Sequence, residues 1–220
     1  GIVRNEQAAR TSAAIAIAMA RNLKDAKLVL NAQIALGRAL VQSRAIDEGR
    51  ELCKAAAQTA SIAADADVLQ IIDANTCVVE ALADQARWAD VGTLVAEKKA
   101  LIREAFGDDH PTMAAWLIFE YSAALNAANY GKARALLMRA RAIFTRVYGE
   151  DYIRTLQTLQ FEANCDYWEN KSAVAAPTLR ALIKKLEQSH NTDVLFAARV
   201  HSDLALVEHE LKDPKKEAKI

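Results

Sequence analysis

Five aspartates stand in register along this chain, at Asp25, Asp67, Asp109, Asp151 and Asp193, each 42 residues after the last. Around the third the sequence reads AFGDDHPTMAAWL from Ala105, and around the fourth VYGEDYIRTLQTL from Val147. Both stretches run aromatic, glycine, two acids and then a helical pattern. A unit of this length holds two helices and cannot bury its apolar face alone, so neighbouring units must stack into a continuous core. A carboxylate just before or within a first helical turn accepts bonds from orphan N–H groups and meets the positive end of the helix dipole. The register aspartates are therefore expected to start helices rather than to act as catalytic acids.

The apolar residues carry the helical period. Met113, Leu117, Tyr121 and Ala124 form one stripe within 112–127. After a break at 129–131, Ala133, Leu137, Ala140 and Phe144 form a second, with steps of three and four. The preceding unit repeats the plan with Val68, Ile71, Ile72, Val79 and Leu82, then Val91, Leu94, Val95, Leu101 and Ile102. Only 7 Gly and 3 Pro interrupt a chain that is 52% hydrophobic, which excludes disorder and favours long helices joined by short turns. The expected class is all-α, a right-handed solenoid of stacked antiparallel helix pairs.

The register also places small residues where the second helix of a pair must approach the first: Gly49, Ala133 and Ala175. Aromatic residues three positions before this point in their units, Trp88 and Tyr130, are expected to plug the turn. These positions, with Leu36-Gly37, the GDDHP of 107–111 and NYGKARALLMRARAI from Asn129, resemble the tetratricopeptide repeat. The variety resembled is the 42-residue one of kinesin light chains and many bacterial signalling proteins. The likeness spans about 22–213. Pro177 falls where that variety often carries a proline early in its second helix, where a first turn lacks intrahelical donors. Val79 and Tyr121 replace the family's small residue, and Ile153 replaces the proline seen at Pro111. The resemblance implies one solenoid over 1–220. It has a leading helix or cap at 1–21, repeats at about 22–63, 64–105, 106–147 and 148–189, and a partial repeat at 190–220, with Asp213-Pro214 opening a last helix. Since the chain starts at Gly1 without Met, the expectation is a piece excised from a longer protein.

Charge and motif narrow the function. Lys plus Arg (28) equal Asp plus Glu (28), which removes the electrostatic footprint of a nucleic-acid-binding domain. No stretch approaches the ~20 apolar residues that cross a bilayer. The Ala-rich run ARTSAAIAIAMAR is read as a helix of the domain rather than a signal peptide. A cytoplasmic location is expected, with a periplasmic one as the alternative if a membrane segment lies upstream. Cys53, Cys77 and Cys165 are far apart and odd in number, so reduced, buried thiols are expected. His201 and His209 are two turns apart beside Glu208 and Glu210, too far for an adjacent-turn metal pair. His110 and His190 read as turn residues. With no phosphate loop, nucleophile elbow or paired cysteine and base, neither catalysis nor a cofactor is expected.

The family implies that first helices line a concave groove. Two rows one turn apart then face it: Arg38, Glu80, Ser122, Asn164 and Leu206, and Gln42, Asp84, Asn126, Trp168 and Glu210. Groove carboxamides both donate to and accept from a peptide backbone, so Asn126, Asn164 and Gln160 are candidate peptide contacts, with Tyr167 and Trp168 as an aromatic anchor. The alternative for the same rows is a solvated helix face, and Glu80 and Asp84 opposite Arg38 read as a solvated charge cluster. The function expected is a non-catalytic scaffold that binds a peptide or partner domain. The alternatives are a regulatory or sensor segment of a larger bacterial signalling protein, such as a kinase or transcription regulator, and a self-associating structural solenoid.

Overall fold

The computed structural model describes residues 2–63, 67–188 and 193–212. His190 and Asp213-Pro214, singled out above, lie outside the described residues. Among these residues there are ten α-helices and no strand. They are α1 (Ile2–Asn22), α2 (Ala26–Gln42), α3 (Ile46–Ile62), α4 (Val68–Asp84), α5 (Trp88–Phe106), α6 (Pro111–Asn126), α7 (Tyr130–Tyr148), α8 (Ile153–Trp168), α9 (Ser172–Gln188) and α10 (Val194–Leu211). The Ala-rich N-terminal run is inside α1. The chain divides into two compact units, Gly1–Gly107 and Asp108–Ile220.

In the first unit α1 packs on α2, α2 on α3, α3 on α4 and α4 on α5. Its core joins Leu30 and Ile34 of α2, Ala56, Ala57 and Ala60 of α3, and Ala74 of α4. Alanine on two of these helices lets the backbones approach closely. α2 and α3 approach closely at Gly49, where an added Cβ would lie 2.7 Å from the Gly37 carbonyl oxygen and 2.9 Å from the Val41 nitrogen.

In the second unit the pairs α6/α7 and α8/α9 pack in the same manner, and α10 packs on α9. Every residue of the two predicted stripes of α6 and α7 is buried. Burial of each large side chain among them, such as Leu117 or Leu137, contributes about 1.5–3 kcal/mol. Tyr121, where the family prefers a small residue, stacks on Phe161 of α8 and donates its hydroxyl to the Phe161 carbonyl at 3.1 Å. Burial pushes its phenol up, with Cys165 and Asp203 adding to the shift.

The 42-residue period is written in the backbone as well. Arg44, Ala86, Ala128 and Asn170 all adopt positive φ, between 54° and 73°, in the turn inside each helix pair. Around each of them, two amides reach back to the ending helix. Arg44 N donates to Val41 O and Ala45 N to Leu40 O, and the pattern recurs at 86/87, 128/129 and 170/171. This is the Schellman termination, which glycine favours because it lacks the Cβ that crowds the left-handed region. Here none of the four is glycine.

Three expectations are corrected. Asp25, Asp67 and Asp193 do cap α2, α4 and α10, but Asp109 and Asp151 do not cap α6 and α8. Those two helices have His110 and Tyr152 at the cap position, one residue later. His110 caps α6 through Nδ1, which accepts from Thr112 N at 3.2 Å. The two aspartates instead reach the second helix of their own pair: Asp109 meets Arg146 and Asp151 meets Lys185, each at 2.8 Å. Pro177 lies inside α9 rather than in its first turn, so the helix forgoes a backbone bond there. Finally, Cys53 and Cys77 are not reduced thiols: α3 and α4 pack with the two Cα atoms 5.6 Å apart and a disulfide joins them. Cys165 is free and buried, as expected.

Candidate functional site

The two predicted rows have different chemistry in the two units. In the first unit the row is charged, and Arg38 and Glu80 pair with each other. Arg38 donates to Asp73 at 2.5 Å and to Glu80 at 3.2 Å, linking α2 to the same face of α4. Burial raises the Glu80 carboxyl above its ordinary range even though Arg38 pulls the other way. Asp84 and Gln42 are both exposed at the next turn. The Arg38 guanidinium thus forms a rung between neighbouring first helices and is not available to orient a charged ligand.

In the second unit the row is uncharged on α6 and α8. Ser122 returns its hydroxyl to the Ile118 carbonyl, and Asn126 is exposed with one amide hydrogen given to the Ser122 carbonyl at 2.9 Å. That arrangement steadies the Asn126 side chain. Asn164 is half-exposed on α8. Tyr167 meets Trp168 edge to face, with ring centroids 5.6 Å apart, and Trp168 is 60% exposed. The Trp168 backbone is held too, because Tyr130 at the start of α7 donates its hydroxyl to the Trp168 carbonyl at 2.9 Å.

Gln160 departs from the expectation. It is 1% exposed and gives its amide to Asp203 of α10 at 2.6 Å, so it ties α8 to α10 instead of reaching outward. Its counterpart in kind is Gln70 of α4, which donates to the Lys27 carbonyl and to Asn31 of α2. Leu206 is exposed on α10, and Glu210 accepts a bond from Ser172.

A second set of links, unseen in the sequence, joins the first turn of a second helix to an earlier helix or to the end of the helix that follows it. Arg10 pairs with Glu48, Asp47 with Gln85, Tyr130 with Trp168 and Ser172 with Glu210, all 38 residues apart. Arg134 adds a cluster with Asp166 and Glu169, and the hydrogen bond from Arg134 holds the Glu169 carboxyl below the usual range. Beside α7 and α9 a cleft of about 560 Å³ is lined by Met138, Arg141, Thr145, Arg146, Thr155 and Lys185, among others. Its cations already face Glu162, Asp109 and Asp151, so it holds no surplus positive charge.

Among the described residues no group of three His, Cys, Asp or Glu side chains could hold a metal ion. Glu208 is paired with Arg180 and Glu210 with Ser172, and His201 and His209 are exposed beside them. No described helix is long and apolar enough to cross a membrane.

No protein-family model matches the chain, and no match was found among curated proteins. Solved structures do match. BtubC (BKLC) from P. vanneervenii superposes with a TM-score of 0.77 at 13% identity, over 98% of this chain and 86% of that one. A Podosopora anserina putative kinesin light chain with nearly identical TPR-like repeats gives 0.65 at 14% identity, over 86% of this chain and 90% of that one. A single-substitution variant of that protein gives 0.67 at 14% identity over the same shares. Likeness at this identity speaks of fold alone. Joined to the 42-residue recurrence of helix pairs and left-handed turns, it shows that this chain has the all-α repeat-solenoid fold of kinesin-light-chain-like tetratricopeptide repeats.

Proposed function

We propose that the protein is a non-catalytic interaction module that holds an extended peptide segment of a partner along α6 and α8 of its second unit. The observation that carries this reading is Trp168. A large apolar ring that stays 60% exposed, while its own backbone and its neighbour Tyr167 fix its position, is the form of an anchor. Asn126 and Asn164 are the polar complement, since carboxamides bind backbone N–H and C=O groups without regard to side-chain charge. The uncharged row favours a peptide whose central residues are apolar or neutral. Arg38 and Glu80 contribute little, because they are already bound to each other and, for Arg38, to Asp73.

The test is a selection of short random peptides displayed on phage against the intact chain, followed by titration of the enriched sequences. Asn126→Ala combined with Asn164→Ala is expected to keep helicity and melting temperature and to weaken binding more than tenfold, about 1.4 kcal/mol. Unchanged affinity in that double variant would remove α6 and α8 from the binding face.

A further inference from the structure

We propose that Cys53 and Cys77 form a reversible redox clamp that fastens the second helix of one pair to the first helix of the next. α3 and α4 bring the two sulfurs together. Cys53 is on α3 and Cys77 on α4, both fully buried, with Cα atoms 5.6 Å apart, inside the span that a disulfide requires. A third helix clears space for them. A Cβ at Gly37 of α2 would overlap the Cys53 Sγ and stand 3.3 Å from the Cys77 Sγ, so both sulfurs occupy room that any side chain at 37 would close.

The reduced state also has a partner in place. The Cys77 sulfur lies 3.8 Å from the Ile34 carbonyl oxygen, which accepts an S–H bond once the disulfide opens. Both redox states therefore fit the same pocket, which is what reversibility needs. Asp73 and Glu80, which bind Arg38 of α2, lie on α4 one turn before and one turn after Cys77. Closing the bond fixes α4 in the register at which that charged rung is made.

Closure proceeds by thiol–disulfide exchange with a small-molecule disulfide as oxidant. The thiolate of one cysteine attacks the reagent, forms a mixed disulfide and releases one thiol. The second cysteine then displaces the other thiol. Two S–H bonds are lost from the protein, one S–S bond is gained, and the two protons and two electrons end on the two thiols of the reagent. A dithiol reverses the process. Cys165 provides an internal contrast: it is equally buried but has no second cysteine within reach, so it cannot close a protein disulfide.

The experiment incubates the whole chain in oxidised or reduced glutathione, quenches in acid, denatures, labels with N-ethylmaleimide and counts labels by mass. Oxidised protein is expected to carry one label, mapped to Cys165. Treatment with dithiothreitol is expected to give three, and re-oxidation to return the count to one. The melting temperature is expected to fall by roughly 5–10 °C in dithiothreitol. The Cys53→Ala/Cys77→Ala protein should show no such dependence. Three labels after oxidation would overturn the clamp outright, and a melting temperature indifferent to dithiothreitol in a singly labelled parent would overturn its holding role. The label count on the parent needs no variant, so it decides the matter even if the double variant does not fold.

Discussion

Replacing Gly49 with alanine tests the register that sets the first helix pair. Alanine is the better helix former by about 1 kcal/mol, so propensity alone predicts a more stable protein. The structure predicts the reverse. The added methyl would sit 2.7 Å from the Gly37 carbonyl oxygen, 2.8 Å from the Val41 Cγ2 and 2.9 Å from the Val41 nitrogen. Two of these are backbone atoms of α2, so relief cannot come from a rotamer change and α2 must move from α3 by roughly half an ångström. Overpacking of this kind costs about 1–3 kcal/mol. Because two of the three contacts are to backbone, the cost falls in the upper half of that range, about 2–3 kcal/mol, so clash outweighs propensity and Gly49→Ala is expected to lose about 1–2 kcal/mol net. With a urea slope of about 2 kcal/mol/M, the midpoint falls by about 0.5–1 M. The control is Gly131→Ala on α7, where nothing lies within 4 Å of the new Cβ; there the same substitution should be neutral or stabilise by about 0.5 kcal/mol. If the two variants shift the midpoint in the same direction, the close approach of α2 and α3 at Gly49 is wrong.

Other contacts give equally definite outcomes. Ala128→Gly should raise stability by about 0.5–1 kcal/mol in urea unfolding, because Ala128 ends α6 in the left-handed region at φ 54°. Glu80→Gln should change stability by no more than about 0.5 kcal/mol, since the burial cost of its charge offsets a partly exposed pairing with Arg38; a loss above roughly 2 kcal/mol would show the rung to be a major support. Glu169 has its pKa lowered in the fold, so its contribution is present above the unfolded value of 4.5 and lost as pH falls through the folded value. Glu169→Gln should therefore flatten the acid side of the curve of melting temperature against pH, and an unaltered curve would contradict the Arg134 pairing.

Much of the fold is legible in the sequence because the features that define it are short-range and periodic. Aspartate register, stripes such as Met113/Leu117/Tyr121 and small residues such as Gly49 each state a helix or a contact directly. The left-handed residues Arg44, Ala86, Ala128 and Asn170 are not legible, because four different contexts reach the same φ without glycine. At Asp109 and Asp151 a helix start that shifts by one residue leaves the aspartate in register while changing what it can reach, here Arg146 and Lys185. Cys53 and Cys77 carry no spacing signal, as their meeting depends on how α3 crosses α4. The candidate site is legible in kind but not in depth: Gln160 and Asn164 share a helix and a polar character, yet one is sealed against Asp203 and the other is half-exposed. Only the packing of α8 against α10 separates them.

The most direct test of the interaction reading is an NMR titration of the isotopically labelled chain with an enriched peptide from the phage selection. The account predicts saturable shifts of the Asn126 and Asn164 side-chain amides and of the Trp168 indole N–H, while the Gln42 amide and the buried Trp116 indole stay in place. Saturable shifts confined to Gln42 and its neighbours on α2 and α4, with Trp168 unmoved, would contradict it.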